Sequence, residues 1–206
     1  MDVSQRIKED ILKNKLPRGT PLRQAVLSDL YGVSRIPIRD ALLSLKAEGW
    51  LVPHGKAGVM IPDLRWQEAE DLYLMRAELE CILFEMAFEQ IHDKDVAKAR
   101  SYLSALDHEN ISLVSRGELN WQFHEALYQP ANRPTLQRVV EGLNMQAVRY
   151  LGFQFGPLGY HEKSQDQHEE LISLIESNNK NAALILLRQH IEKAGSLLTE
   201  FLKNSG

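Results

Sequence analysis

The 206-residue chain has one cysteine, Cys81. An intramolecular disulfide is thereby excluded, and the usage fits a reducing compartment. Cys81 lies in an apolar helical stretch and reads as core, not as a nucleophile. No apolar run approaches the roughly 18 residues that a membrane span needs. The opening Met1-Asp2-Val3-Ser4-Gln5 lacks the pattern of a signal peptide, so a cytoplasmic chain is expected. There is no internal repeat and no low-complexity segment, which argues against a repeat array.

A hydrophobic content of 44% is ample for a packed core, and the length allows one large or two modest domains. The net charge of −4 conceals an asymmetry. Residues 1–62 carry 10 Lys+Arg against 6 Asp+Glu, and residues 63–206 carry 14 against 22. A small basic module joined to a larger acidic one suggests that the first meets nucleic acid.

The most informative stretch runs from Ser34 to Gly49. Ser34 suits an N-cap, Pro37 is tolerated within the first turn, and Gly49 closes the far end. Ile38, Ala41, Leu42 and Leu45 fall at i, i+3, i+4, i+7 and define a buried face. Arg35 and Arg39 lie one turn apart on another face. The plainer reading of such arginines is a solvated helix surface. A helix buried on one side and arginine-bearing near its N-terminus also suits a DNA major groove, where arginine pairs two-pronged with guanine.

The surrounding chain favours the second reading. Residues 2–14 read as a helix with Ile7, Ile11 and Leu12 inward, followed by the breaker Leu16-Pro17-Arg18-Gly19-Thr20-Pro21. Residues 22–31 read as a short helix carrying Leu22, Val26, Leu27 and Leu30, stopped by Gly32. Helix, glycine turn and second helix make a helix-turn-helix. Trp50-Leu51-Val52 and Val59-Met60-Ile61 flank a Gly-rich turn, Pro53 to Gly58, and predict a β-hairpin wing with His54, Gly55 and Lys56 near its tip. The expected division is a winged helix-turn-helix over 1–62, a linker over 63–66 and an all-helical domain over 67–206. In that last part helices are predicted over 67–91, 93–115 with a break near Asn110, 117–129, 132–155, 160–177 and 180–203. Leu72, Met75, Leu79, Ile82 and Met86 are at helical spacing in the first of these. The fold class is mainly α, a winged helix-turn-helix followed by a bundle of about six helices.

A second constellation lies in the helical part. Asn120 and His124 are one turn apart and can point at one centre. His168 is in line with Leu171 and Ile172, and His190 with Leu187 and Ala194, so both face inward. One inward histidine is most simply a hydrogen-bonded core residue. Three from three helices, beside an amide oxygen, are harder to explain as packing and suit Zn, Ni, Mn or Fe. Arg76 borders a buried stripe; its plainer reading is a surface ion pair with Glu80 at i+4. Tyr150, Phe153, Phe155 and Tyr160 cluster about the turn Gly156-Pro157-Leu158-Gly159 and read as core, with a pocket wall as the alternative.

These residues resemble a known family. Ile11-x4-Leu16-Pro17-x-Gly19-x2-Leu22 and Gly32-Val33-Ser34-Arg35-x-Pro37-Ile38-Arg39-x-Ala41-Leu42-x2-Leu45-x2-Glu48-Gly49 resemble the GntR family of bacterial transcription regulators. Arg76-x2-Leu79-Glu80, Asn120-x2-Phe123-His124-x2-Leu127, Ala131-Asn132-x2-Leu136, His168-x2-Leu171-Ile172 and His190-Ile191 resemble its helical effector domain of the FadR C-terminal (FCD) type, with six helices closer to the VanR-like branch. The resemblance implies a homodimer on double-stranded DNA at a palindromic operator. Ser34 would contact phosphate, Arg35 and Arg39 the bases, and the wing tip (His54, Gly55, Lys56) the adjacent minor groove. Pro37 belongs to the same DNA-binding set, and Ile36 would pack on a thymine methyl. It also implies a divalent metal on the floor of an effector pocket, held by Asn120, His124, His168 and His190, where many relatives carry Asp at the position of Asn120. Arg76 would look into that pocket and clamp a small carboxylate, and Arg149 is the second effector-binding candidate. The expected function is a repressor whose operator binding answers to a small organic acid. Two alternatives stand beside it: a regulator whose helical domain only dimerises, and a metalloenzyme using Glu125 or Glu169 as acid or base. An enzyme gains nothing from a winged helix, so no catalytic activity is expected.

Overall fold

A computed structural model describes residues 2–56, 58–108, 110–155 and 158–204, without the side chains of Gln154 and Phe155. The chain divides into two compact units, Met1–Leu64 and Arg65–Gly206.

In the first unit, α1 (Val3–Leu12) starts at Asp2, whose carboxylate accepts the Gln5 amide at 2.8 Å. Helix α2 (Gln24–Tyr31) ends at Gly32, whose φ of +67° favours glycine, and α3 (Arg35–Ala47) follows. Helix α3 packs on both α1 and α2. Ile7, Ile11, Leu27, Ile38, Leu42 and Leu45 are all buried there, as their spacing predicts. Ser34 occupies the N-cap position, yet its side chain makes no capping hydrogen bond. The far end closes as expected. Gly49, at φ +80°, donates to the Lys46 carbonyl at 3.2 Å, and Trp50 donates to that of Leu45 at 2.9 Å.

Helix α2 starts later than the expected residue 22, so Leu22 precedes it, and of the residues it carries Val26 and Leu30 are 59% and 57% exposed. The inward side of this eight-residue helix is filled by Leu27 and Tyr31, which leaves the other apolar residues outside. Leu22 instead donates its amide to Val59 at 2.9 Å. The wing consists of β1 (Val52–His54) and β2 (Gly58–Met60), antiparallel, with Pro53 opposite Val59. Pro21 bridges to Met60, so the breaker segment supports the wing. Gly55, at φ +60°, turns the tip. Ala57 lies outside the described residues.

The second unit contains α4 (Trp66–Ala87), α5 (Asp93–Leu106), α6 (Leu113–Tyr128), α7 (Pro134–Ala147), α8 (Leu151–Phe155), α9 (His161–Glu176) and α10 (Lys180–Asn204). Helix α5 stops at Leu106, short of the expected end. Helix α6 begins early because Ser112 accepts the Ser115 amide at 3.1 Å. The expected fourth helix is broken by a 3-10 turn over Val148–Tyr150, where Arg149 and Tyr150 both bond Glu68. Of the glycine turn that follows, Gly156 and Pro157 lie outside the described residues.

Helix α4 is the hub, packed against α10, α7 and α6. Its buried side presents Leu72, Tyr73, Arg76, Ala77, Glu80, Leu83, Phe84 and Ala87. A Cβ at Gly195 of α10 would fall 2.4 Å from the Tyr73 Cβ, so glycine there sets the approach of the two helices. The stripe expected to point inward does so only in part. Leu72 is buried, but Met75, Ile82 and Met86 are 42%, 42% and 44% exposed, because the opposite side of α4 meets its neighbours.

Candidate functional site

The geometry of α3 sorts its residues. Ile38, Ala41, Leu42 and Leu45 are consumed by the core, so Ser34, Arg35, Ile36 and Arg39 stand in solvent. Pro37 is half-buried. Ile36, 65% exposed, is a large apolar side chain with no cover. Arg39 rests on Asp40 at 3.1 Å, both side chains more than half exposed. That pair is worth little in water and is easily exchanged for another anion. His54, Gly55 and Lys56 are exposed on the wing. An uncovered N-terminal helix turn with two arginines can present charge to phosphate and forked donors to base edges.

In the second unit, α6, α9 and α10 bring His124, His168 and His190 together. One ligand nitrogen from each lies within 4.8 Å of the others. The rings pack at centroid distances of 5.0 Å (His124–His168), 4.7 Å (His168–His190) and 5.5 Å (His124–His190). All three residues are buried. Each Nδ1 has an oxygen beside it: the Tyr128 hydroxyl at 3.3 Å from His124, Gln165 Oε1 at 3.3 Å from His168, and Gln167 Oε1 at 3.1 Å from His190. An amide oxygen only accepts, so His168 and His190 carry their protons on Nδ1. The Tyr128 hydroxyl donates to Glu80 Oε2 at 2.8 Å, so towards His124 its oxygen can only accept. All three rings are thus Nδ1–H tautomers with a lone pair on Nε2. The buried Nε2 atoms of His124 and His168 have no hydrogen-bond partner. Such orphaned acceptors are costly and call for an explanation.

Electrostatics keep the rings neutral. Burial, followed by His190 and Arg76, holds His124 well below its usual value. Burial, then His190 and His124, does the same to His168. His190 is pushed down to about 3 by burial and then Arg76. Three neutral imidazoles, each oriented through its other nitrogen, are the donor set a divalent transition metal takes, and the two orphaned Nε2 atoms fit it.

A cavity of about 50 Å³ opens beside His190, lined by Tyr73, Arg76, Asn120, Tyr160, His161 and Ser164 among others. By the rule of roughly 10–15 Å³ per water it admits a few small groups. Asn120, one turn before His124 on α6, is part of this lining together with His190. Arg76 also lines it, and its expected ion pair with Glu80 exists at 2.7 Å but is buried, not superficial. The described hydrogen bond uses Nε, which leaves the two Nη groups to serve the cavity. Burial opposes the charge on Arg76, but Glu80, with Tyr73 and Tyr128, more than offsets it and raises its pKa. Arg149 is absent from the lining. It is buried and held by Glu68 at 2.5 Å and by the Gln146 carbonyl at 3.2 Å, so the structure does not bring it to this site.

Sequence reasoning missed the oxygens behind the histidines. Tyr128 and Gln165 had a local signal, at i+4 from His124 and i−3 from His168. Gln167 serves His190 from another helix and had none. His161, assigned no role from the sequence, lines the cavity and accepts from Arg116 Nη1 at 3.2 Å. The aromatic cluster divides. Tyr150 is fully buried, Phe153 packs on Phe201 at 5.2 Å, and Tyr160 lines the cavity; the Phe155 side chain lies outside the described residues. Cys81 is buried, its thiol pushed up to about 11 by burial, as a core cysteine should be. Glu125 accepts from Gln137 at 3.2 Å, Glu169 pairs with Arg100 at 3.2 Å, and neither lines the cavity.

Comparison with known proteins agrees with both halves. Residues 1–61 match the bacterial regulatory proteins of the gntR family, and residues 71–193 match the FCD domain. The chain is 26% identical over 192 residues to the Nta operon transcriptional regulator of Aminobacter aminovorans, covering 91% of this chain and 88% of that protein. It is 27% identical over 195 residues to the HTH-type transcriptional repressor GlaR of Escherichia coli, covering 90% and 89%. Among solved structures, a GntR-family regulator from Pseudomonas syringae is 32% identical with a TM-score of 0.60, covering 98% of this chain and 85% of that one. Escherichia coli McbR/YncC is 20% identical, shares the fold at a TM-score of 0.72, and is covered over 97% and 96% of the two chains. These relatives are regulators, not enzymes, and the chain belongs to the GntR family of DNA-binding transcriptional regulators, with an FCD effector domain.

Proposed function

We propose that the helical unit senses a small carboxylate and that this sets how a homodimer grips a palindromic operator, as a repressor. In this reading residues 1–62 bind DNA, 63–66 link, and 67–206 sense and dimerise, all in the cytoplasm. His124, His168 and His190 would hold a divalent Zn, Ni, Mn or Fe, with Asn120 offering an amide oxygen. The observation that carries the reading is the convergence of three Nδ1–H histidines whose ligand nitrogens lie within 4.8 Å. A bound divalent ion would supply a Lewis-acidic charge for a carboxylate oxygen. Arg76 would grip the other oxygen through its Nη groups, and the cavity of about 50 Å³ favours an acid of few heavy atoms. Ser34, Arg35, Ile36, Pro37 and Arg39, with the wing residues His54, Gly55 and Lys56, would form the DNA face.

A second copy suits the α4 surface. Met75, Ile82 and Met86, with half-buried Leu79, form an apolar stripe spaced for helix-to-helix packing on the side of α4 away from its own core. A two-fold operator also needs two recognition helices about one DNA turn apart. The repressor reading rests on relatives named as repressors. Gel shifts with genomic fragments, in the presence of a panel of small acids, test the proposal. Affinity should change with carboxylates and stop changing in Arg76→Ala; a response confined to neutral or cationic compounds would contradict it.

A further inference from the structure

We infer that Glu80 is a positioning residue that sets the tautomer of His124 through Tyr128, and so holds one nitrogen of the triad open to a cation while it also orients Arg76. The inference builds on the metal reading above. Glu80 is fully buried and both carboxylate oxygens are engaged. Oε1 accepts from Arg76 Nε at 2.7 Å and from Asn144 Nδ2 at 3.3 Å. Oε2 accepts the Tyr128 hydroxyl at 2.8 Å. As the partner of Arg76 it is a carboxylate, and a carboxylate only accepts.

The consequence is a one-way chain of protons. Tyr128 has a single hydroxyl proton, and Glu80 takes it. The Tyr128 oxygen, 3.3 Å from His124 Nδ1, must then accept from that nitrogen. His124 therefore carries its proton on Nδ1 and bares Nε2, a buried atom with no other hydrogen-bond partner. Among the described residues, the Tyr128 oxygen is the hydrogen-bond partner of the His124 ring, and as an acceptor it fixes the choice. The same carboxylate that steadies the cavity arginine thus keeps the metal-facing atom unprotonated, and one side chain serves both halves of the pocket.

Glu80→Gln makes the direction visible. Two donors, Arg76 Nε and Asn144 Nδ2, face the Oε1 position, so the amide oxygen takes that side. The NH2 group then faces Tyr128 and donates to it. Tyr128 turns its proton onto His124 Nδ1, and the histidine moves its own proton to Nε2, toward the triad. Tyr128→Phe removes the acceptor without reversing it.

The test uses the full-length chain and has two readouts. Long-range 1H–15N NMR on metal-free protein reads the His124 tautomer, and chelator competition with Zn2+ reads affinity. Wild type should show Nδ1–H at His124. Glu80→Gln should show Nε2–H and bind Zn2+ about 10–100-fold more weakly, the range expected for losing a partner behind a ligand. Tyr128→Phe should give mixed tautomers and a smaller loss, and it keeps the test open if Glu80→Gln does not fold. His168→Ala, which abolishes Zn2+ binding if the triad is the site, is the control for the underlying reading. An unchanged tautomer and affinity in Tyr128→Phe, with binding still abolished in His168→Ala, would overturn the role of Glu80. Zn2+ binding that survives His168→Ala removes the triad reading instead, and the tautomer measurement still decides the relay.

Discussion

Acid should unfold the metal-free protein far sooner than an ordinary domain, and the histidine triad sets how much sooner. His124, His168 and His190 are each held neutral in the folded chain, with values below the ordinary 6.5 and, for His190, about 3. In the unfolded chain each titrates near 6.5. A group whose folded value is depressed lends stability above its unfolded value and loses it as pH falls, because the unfolded chain takes up the proton first. Between pH 7.5 and 5.5 each histidine costs about 1.4 kcal/mol, and the three together about 4 kcal/mol. His161, lowered by partial burial and then by Arg116, shifts in the same direction. Against a typical total of about 5–15 kcal/mol this is a large share. Urea unfolding of chelator-treated protein at pH 7.5, 6.5 and 5.5 measures it. The folding free energy should fall by about 4 kcal/mol across the range, and His168→Gln should remove roughly a third of the fall. A profile flat to within about 1 kcal/mol, or one that His168→Gln leaves unchanged, would refute the neutral buried triad.

Arg39→Ala should weaken operator binding by about 1–3 kcal/mol and relax sequence preference in gel shifts; unchanged affinity and specificity would remove Arg39 from the DNA face. Gly195→Ala should destabilise the chain by about 1–3 kcal/mol in urea titration despite alanine's better helix propensity, since its Cβ meets Tyr73; a raised midpoint would contradict that packing. Ile82→Glu should convert a dimer to a monomer in light scattering with unchanged far-UV circular dichroism, and persistence of the dimer would move the interface off the α4 stripe.

What the sequence made legible was local. The end of α3 could be read because Gly49 and the apolar spacing of Ile38 to Leu45 act within one helix. His168 and His190 could be read as inward because each shares a face with apolar neighbours, Leu171 and Ile172 or Leu187 and Ala194. What stayed hidden depends on which face of an element finds a neighbour. Helix α4 has large apolar residues on both its buried and its exposed sides, so periodicity could not say that Leu72 and Phe84 would be buried while Met75 and Ile82 would not. On α2 likewise, Leu27 and Tyr31 turn inward while Val26 and Leu30 stay in solvent. The break after Ala147 and the diversion of Arg149 share one cause, Glu68, which lies 81 residues earlier in the chain. Glu80 was visible as a partner of Arg76 at i+4, but its bond to Tyr128 spans 48 residues, and only the folded chain brings them together.

The metal content of protein purified without chelator or nickel resin tests the central claim most directly. Elemental analysis should find close to one divalent transition-metal ion per chain, lost in His168→Ala. Metal well below one equivalent, not restored by added Zn, Ni or Mn, would contradict the account.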